Sequence, residues 1–174
     1  MAEIPPVYRT PRGLSDDLRR RLSAEGNCVL GTVDPDGSPH LTEVLFSLGE
    51  DDRVAVPTPH STRKVANVVA RPVATFFVSL QGGGWVSCTG PASVVTGEAA
   101  ARTNEGIRQR LLTEAGLATI GLVLAAYEDT TIEIVPTRWL SWSSDEIRPR
   151  IEALGGDVEA YPPDTWFKDL SARG

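Results

Sequence analysis

Apolar positions along this chain recur at two spacings, and each change of spacing marks a new element. Leu14, Leu18 and Leu22 recur every fourth residue, which predicts a short helix ending near Ala24. Ser15 precedes it as an N-cap, Asp16 and Asp17 suit its positive end, and Gly26 closes it. Strand spacing then takes over at Cys28–Asp34, His40–Leu48 and Arg53–Thr58, where Val54 and Val56 alternate with Arg53 and Ala55. The stretches Asp34-Pro35-Asp36-Gly37 and Gly49-Glu50-Asp51-Asp52 supply turns, so these three strands are expected to form an antiparallel meander.

Residues 61–71 switch to helical spacing, with Ser61 or Thr62 as cap, Val65, Val68 and Val69 on one side, and Arg71-Pro72 as stop. Val73–Leu80 is nearly continuous in apolar residues, which predicts a strand buried on both faces. A glycine loop at 81–84 leads into a long strand, Trp85–Thr96, with a bend or bulge at Gly90-Pro91. Glu98–Ala115 reads as a helix capped by Gly116. Leu117–Tyr127 is apolar all round and fits either a buried helix or a strand; helix is the preferred reading. Thr130–Trp142 is the last strand, with Ile132, Ile134 and Trp139 inward.

Six strands joined by hairpins, with few helices between them, exclude βαβ alternation. The expected architecture is mostly β, a six-stranded antiparallel barrel with peripheral helices. No G-x-G-x-x-G follows a strand, and Gly82-Gly83-Gly84 precedes one, which disfavours a dinucleotide-binding doubly wound sheet. The body spans 15–142. Residues 1–14 read as a proline-containing arm, and 143–174 as a tail wrapping a neighbour, with Trp166 and Phe167 as packing clasp or pocket lid.

Composition narrows the function classes. A chain of 174 residues that is 41% hydrophobic supports one core. Its net charge of -6 counts against a nucleic-acid partner. Cys28 and Cys88 make no disulfide framework, and no C-x-x-C spacing exists for zinc. The N-terminal segment lacks the apolar core of a signal peptide, and the longest apolar run is too short to span a bilayer, so a cytoplasmic protein with no membrane partner is expected.

The candidate chemistry lies at Thr58-Pro59-His60-Ser61-Thr62-Arg63-Lys64-Val65-Ala66-Asn67, where a strand hands over to a helix. Free amides at a helix start favour an anion, Arg63 offers a fork matching phosphate oxygens, and Lys64 adds a point charge. Residues 61–71 hold three bases and no acid, a reversal of sign within an acidic chain. The plain alternative is an ordinary capped helix with solvated basic residues. Elsewhere the chemistry is sparse. His40 and His60 lack companion ligands for a metal, Cys28 and Cys88 read as inert core residues, and no nucleophile elbow such as G-x-S-x-G occurs. Glu43 alternates with Thr42 and Val44 and is read as facing solvent.

Four segments in this order resemble the flavin/deazaflavin oxidoreductases of the pyridoxamine 5'-phosphate oxidase-like split β-barrel superfamily. They are Gly31–His40, Ser61–Asn67, Trp85–Ala92 and Ile134–Arg138. The resemblance implies a six-stranded split barrel, a homodimer, and FMN or the deazaflavin F420 in the clefts between subunits. It also implies that Arg63 and Lys64 hold the cofactor phosphate, with Thr58, Ser61 and Thr62 nearby and Asn67 steadying the helix start. His40, Thr42 and Val44 would face the ring system, and Trp85 and Ser87 would come from the opposite wall or the other subunit. His40–Phe46 carries no basic side chain where the FMN oxidases of the superfamily place an arginine, and Arg138-Trp139 only loosely echoes their substrate motif. The resemblance therefore points to an F420-dependent reductase acting on an unsaturated small molecule. FMN chemistry and a non-catalytic flavin or tetrapyrrole carrier are the alternatives.

Overall fold

A computed structural model describes residues 13–81, 83–143 and 147–157. The first helix, α1 (Asp16–Ser23), begins as its sequence dictates, with the Leu18 amide donating to Ser15 Oγ at 3.3 Å. Its Leu22 is fully buried. Strands β1 (Asn27–Val33) and β2 (Pro39–Leu45) form a hairpin around the Asp34–Gly37 turn, where Gly37 takes φ 93°. That left-handed conformation favours glycine.

The expected meander fails at Phe46. Instead of continuing, β2 ends, and a short β3 (Ser47–Leu48) pairs with β4 (Val54–Pro59) in a second part of the sheet. Phe46 is fully buried and packs edge-to-face on Phe76, centroids 4.9 Å apart, while its amide bonds the Gly26 carbonyl. Anchoring that ring turns the chain from one part of the sheet to the other.

Helix α2 (Arg63–Ala70) stops at Arg71-Pro72. It buries Val65, Asn67 and Val68 but leaves Val69 69% exposed, against expectation. The Asn67 amide is drawn inward by hydrogen bonds to β1 and the turn after it, which centres the buried arc away from Val69. β5 (Val73–Ser79) also departs from expectation. It alternates, with Ala74, Phe76 and Val78 buried while Val73 and Phe77 stay exposed, because little of this chain covers its outer side.

The organising strand is β6 (Trp85–Val95). Its first half pairs with β5 and with β8 (Arg138–Trp142), its second half with β7 (Asp129–Ile134). The change of partner falls at Gly90-Pro91, where a Cβ on Gly90 would lie 1.9 Å from the Val135 carbonyl oxygen. Only glycine permits that approach. The expected last strand is thus two strands, broken at 135–137. The sheet order is β2-β1-β5-β6-β7-β4-β3, with β8 also on β6, giving eight strands among the described residues where six were expected. β2 comes back alongside β4 without pairing, so the antiparallel barrel stays open, as in a split barrel. Leu30, Phe46, Val54, Val56, Phe76, Val86, Ile132 and Ile134 fill its interior with no exposed surface.

Between β6 and β7 lie two helices, as expected. α3 (Gly97–Leu111) is fastened to β7 by buried Asn104, which donates to the Thr130 carbonyl and accepts from Thr131 Oγ1, and by a bidentate Arg108–Asp129 pair at 2.7 Å. Gly116 is not its C-cap. It sits in the first turn of α4 (Glu114–Leu124), donating its amide to the N-cap hydroxyl of Thr113. α4 is a helix, as preferred, but not a buried one: none of its residues is buried, and Leu122 is 79% exposed. The arm expected at 1–14 lies almost wholly outside the described residues. So does much of the tail, including Trp166 and Phe167; α5 (Arg148–Ala153) is its described helix.

Candidate functional site: the β4–α2 junction

Six of the expected site residues are gathered by one local event, the passage from β4 into α2. Thr58, next to last in β4, has its side chain buried, and its hydroxyl lies 3.2 Å from that of Thr62. Thr62 occupies the N-cap position, yet its hydroxyl donates to the Pro59 carbonyl at 3.0 Å and makes no side-chain cap. Among the described residues, nothing therefore accepts from the backbone amides of Arg63 and Lys64. They are open donors at the positive end of the helix. Ser61 is exposed at the entry.

Lys64 is half-buried and has no hydrogen-bond or ion-pair partner among the described residues. Burial pushes its ammonium below the usual lysine pKa. A cation drawn out of water with no carboxylate beside it is an incomplete electrostatic arrangement. Arg63 is a rim group, 67% exposed, with its guanidinium 3.5 Å from Asp34. Exposed pairs of that kind contribute roughly 0.2–1 kcal/mol, so a doubly charged phosphate can compete for the arginine.

Asn67 does not steady the start of its own helix. Its buried amide donates to Thr32 Oγ1 at 3.0 Å and Asp34 Oδ1 at 2.8 Å, tying α2 to the β1–β2 hairpin. Arg71 reinforces this from the far end of the helix, donating to the Asp34 and Pro35 carbonyls. Asp34 and Thr32 are the participants that sequence reasoning missed. Asp34 was legible only as a turn-former, though its place at the mouth of an apolar strand, opposite a basic segment, was a usable signal.

The remaining expected residues divide between the two sides of the sheet. His40, Thr42 and Val44 are half-buried on the inner side of β2, paired with Thr32, Leu30 and Cys28. Val44 packs on the core, and Thr42 Oγ1 is buried with no hydrogen-bond partner. Trp85 and Ser87 lie on the outer side, where Trp85 stacks on Phe77 and Ser87 donates to the Phe76 carbonyl. The sheet separates these two residues from the β2 trio within one chain. Two concavities lie away from the junction, one of about 550 Å³ between the ends of β1, β2 and β5 and Leu111–Leu112, another of about 250 Å³ beside Leu41 and Val73. The β4–α2 junction is thus a charged half-site on an open surface.

The fold agrees with what the family comparison finds. The family model described as pyridoxamine 5'-phosphate oxidase matches residues 14–142. This chain belongs to the pyridoxamine 5'-phosphate oxidase family. Curated protein sequences gave no match. Among solved structures, a conserved hypothetical protein of Mycobacterium tuberculosis superposes with TM-score 0.62 at 21% identity, over 78% of this chain and 89% of that one. A structure described as an F420 reductase superposes with TM-score 0.57 at 19% identity, over 72% and 98%. An FMN-binding, pyridoxamine 5'-phosphate oxidase-related protein of Nostoc punctiforme gives 0.53 at 14%, over 75% and 78%. These likenesses show the split-barrel fold. No described helix is long and apolar enough to cross a membrane.

Proposed function

We propose that this chain is a homodimeric oxidoreductase that uses reduced F420 to deliver a hydride to an unsaturated small molecule. The observation that carries the reading is the half-buried, unpartnered Lys64 beside the open amides of α2. That set fits an anionic phosphate, which would supply the missing countercharge. The orphaned hydroxyl of Thr42 fits a polar ring edge, since a buried oxygen without a partner costs about 1–3 kcal/mol.

When bound, the deazaflavin supplies the hydride chemistry. The chain's own residues bind and orient. Arg63, Lys64 and the first amides of α2 hold the phosphate, with the hydroxyls of Thr58, Ser61 and Thr62 flanking it. Asn67 and Asp34 set where that helix start sits relative to the hairpin. His40, Thr42 and Val44 form the wall toward the ring. Trp85 and Ser87 belong to the wall contributed by the second subunit, because the sheet keeps them from this chain's own β2 trio. The absence of a basic side chain along β2 favours F420 over FMN.

Tryptophan-fluorescence titrations with F420 and FMN in parallel test this, four tryptophans providing the signal. The expected result is saturable, tighter F420 binding that falls at least about tenfold in Arg63→Ala/Lys64→Ala, a loss of roughly 1.4 kcal/mol or more. Tighter FMN binding, with a yellow protein as purified, moves the activity to flavin chemistry. Tight binding without turnover by any reductant makes the chain a carrier. Unchanged affinity in the double variant removes the site assignment.

A further inference from the structure

The hairpin of β1 and β2 has two ends. At one, Thr32 and Asp34 meet α2; at the other, the sheet and the close of α3 flank the concavity of about 550 Å³. From Asn27 beside the concavity to Thr32, β1 covers about 17 Å at roughly 3.3 Å per residue, so a small ligand in one place does not reach the other. The volume falls in the range of about 300–1,000 Å³ that holds small molecules.

Two apolar walls face each other here, and both are held. The register sets Glu43, Val29 and Phe77 in one row across β2, β1 and β5, on the outward side of the sheet. Val29 and Phe77 are 36 and 37% exposed there. Opposite them stand Leu111 and Leu112, where α3 ends. Arg110 fixes that end by donating to the carbonyls of Ser23, Glu25 and Phe46 at 3.0, 3.4 and 2.8 Å. A Cβ on Gly26 would lie 3.1 Å from Leu111 Cδ2, so the bare glycine gives that leucine its seat.

The lining carries two carboxylates, Glu25 and Glu43, and no basic side chain among the described residues. One oxygen of Glu25 accepts from the Gln81 amide at 2.8 Å, and one of Glu43 from the Asn27 side-chain amide at 3.3 Å. Neither acid has a cation beside it among the described residues. Arg21 and Arg110, which touch the neighbouring segments, spend their guanidinium groups on backbone carbonyls. A hard divalent ion asks for about six to eight oxygens, and the described residues hold no group of three metal-ligating side chains. An apolar body with one positive end matches this lining instead: the acids draw the charge, and an aromatic face such as Phe77 receives a ring or an ammonium.

We propose that this concavity binds a small organic cation, an aryl- or alkylammonium compound, with its ammonium toward Glu25 and Glu43 and its apolar body between Phe77 and Leu111–Leu112. The site goes beyond the hydride-transfer reading and does not depend on it.

Isothermal titration calorimetry of the full chain, without cofactor and at about 0.15 M salt, tests this with two probes of similar shape and opposite charge, 2-phenylethylammonium and 3-phenylpropionate. The ammonium should saturate with a Kd of about 1 mM or tighter, and the carboxylate should bind at least about tenfold more weakly. Glu25→Gln/Glu43→Gln keeps the oxygens that accept from Gln81 and Asn27, and should bring the two probes within about threefold of each other. Val29→Trp, at an exposed strand position, fills the concavity and should weaken the ammonium about tenfold. An ammonium that fails to saturate by about 10 mM, a carboxylate that binds as tightly, a double variant with the wild-type preference, or a Val29→Trp variant with wild-type affinity overturns the proposal. Because F420 is absent from the titration, failure here leaves the phosphate reading of α2 standing, and failure of that reading leaves this one.

Discussion

Asn67→Ala probes the joint on which the candidate site depends. The amide is 3% exposed and donates at 3.0 Å to a Thr32 hydroxyl that is itself 3% exposed, and at 2.8 Å to Asp34. Truncation removes one neutral bond, worth about 1 kcal/mol, and one charge-assisted bond, worth about 1.5–3 kcal/mol. The freed Thr32 hydroxyl can rotate toward other acceptors and recover part of this. The expected loss is therefore about 2–4 kcal/mol, or a fall in Tm of roughly 4–16 °C for a chain of this length. Urea denaturation measures it. Asn67→Asp should also destabilise, by setting a second carboxylate at Asp34. Each acid then resists ionising, so the pair's folded pKa values rise and stability falls as pH increases through the carboxylate range. A variant Asn67→Ala within about 0.5 kcal/mol of wild type refutes the idea that this amide holds helix and hairpin together.

Gly90→Ala should destabilise by about 3 kcal/mol or more, since its Cβ would meet the Val135 carbonyl at 1.9 Å and disturb the bonds from Val135 and Thr137 to β6; denaturant titration reports it. Lys64→Met should leave the unliganded protein as stable or up to about 1 kcal/mol more stable at neutral pH, because burial disfavours the charged lysine, while weakening phosphate-ligand binding. The same lowered pKa means that wild-type stability rises with pH through the Lys64 titration while anion affinity falls, which a pH series of both measurements follows. Cys28 and Cys88 should resist thiol reagents in the native state at pH 8. Burial, with Cys88 and Glu43 adding, raises the first thiol, and burial pushes the second up to about 12. Both stay protonated in the fold, so stability declines above the ordinary thiol pKa of about 8.5.

What the sequence discloses here is what is local. The Asp34–Gly37 turn, the Ser15 cap and the strand-to-helix change at Thr58–Arg63 are each written in adjacent residues, and each is found where expected. The breaks at Phe46 and 135–137 are not written that way. Period-two spacing runs through Phe46, and at 135–137 it only slips phase, from Ile132 and Ile134 to Trp139; the chain turns because Phe46 is claimed by Phe76 and because Gly90 lets distant backbone come close. Gly116 misled because a glycine after a helical stretch reads as a C-cap, whereas Thr113 restarts a helix three residues earlier. The exposure of α4 and of the outer side of β5 could not be read from composition, since an apolar run looks the same whether it is covered by its own chain or not. The site follows the same rule: the β4–α2 segment is contiguous and was legible, while the separation of Trp85 and Ser87 from β2 depends on a register across four strands.

The proposed function stands on a phosphate bound at the start of α2. The most direct measurement compares wild type and Arg63→Ala/Lys64→Ala in their preference for F420 over its phosphate-free deazaflavin core, by equilibrium titration. The wild type should prefer the phosphorylated form by about a hundredfold, roughly 2.7 kcal/mol, and the double variant should lose most of that preference. A preference of equal size in both proteins would contradict the claim.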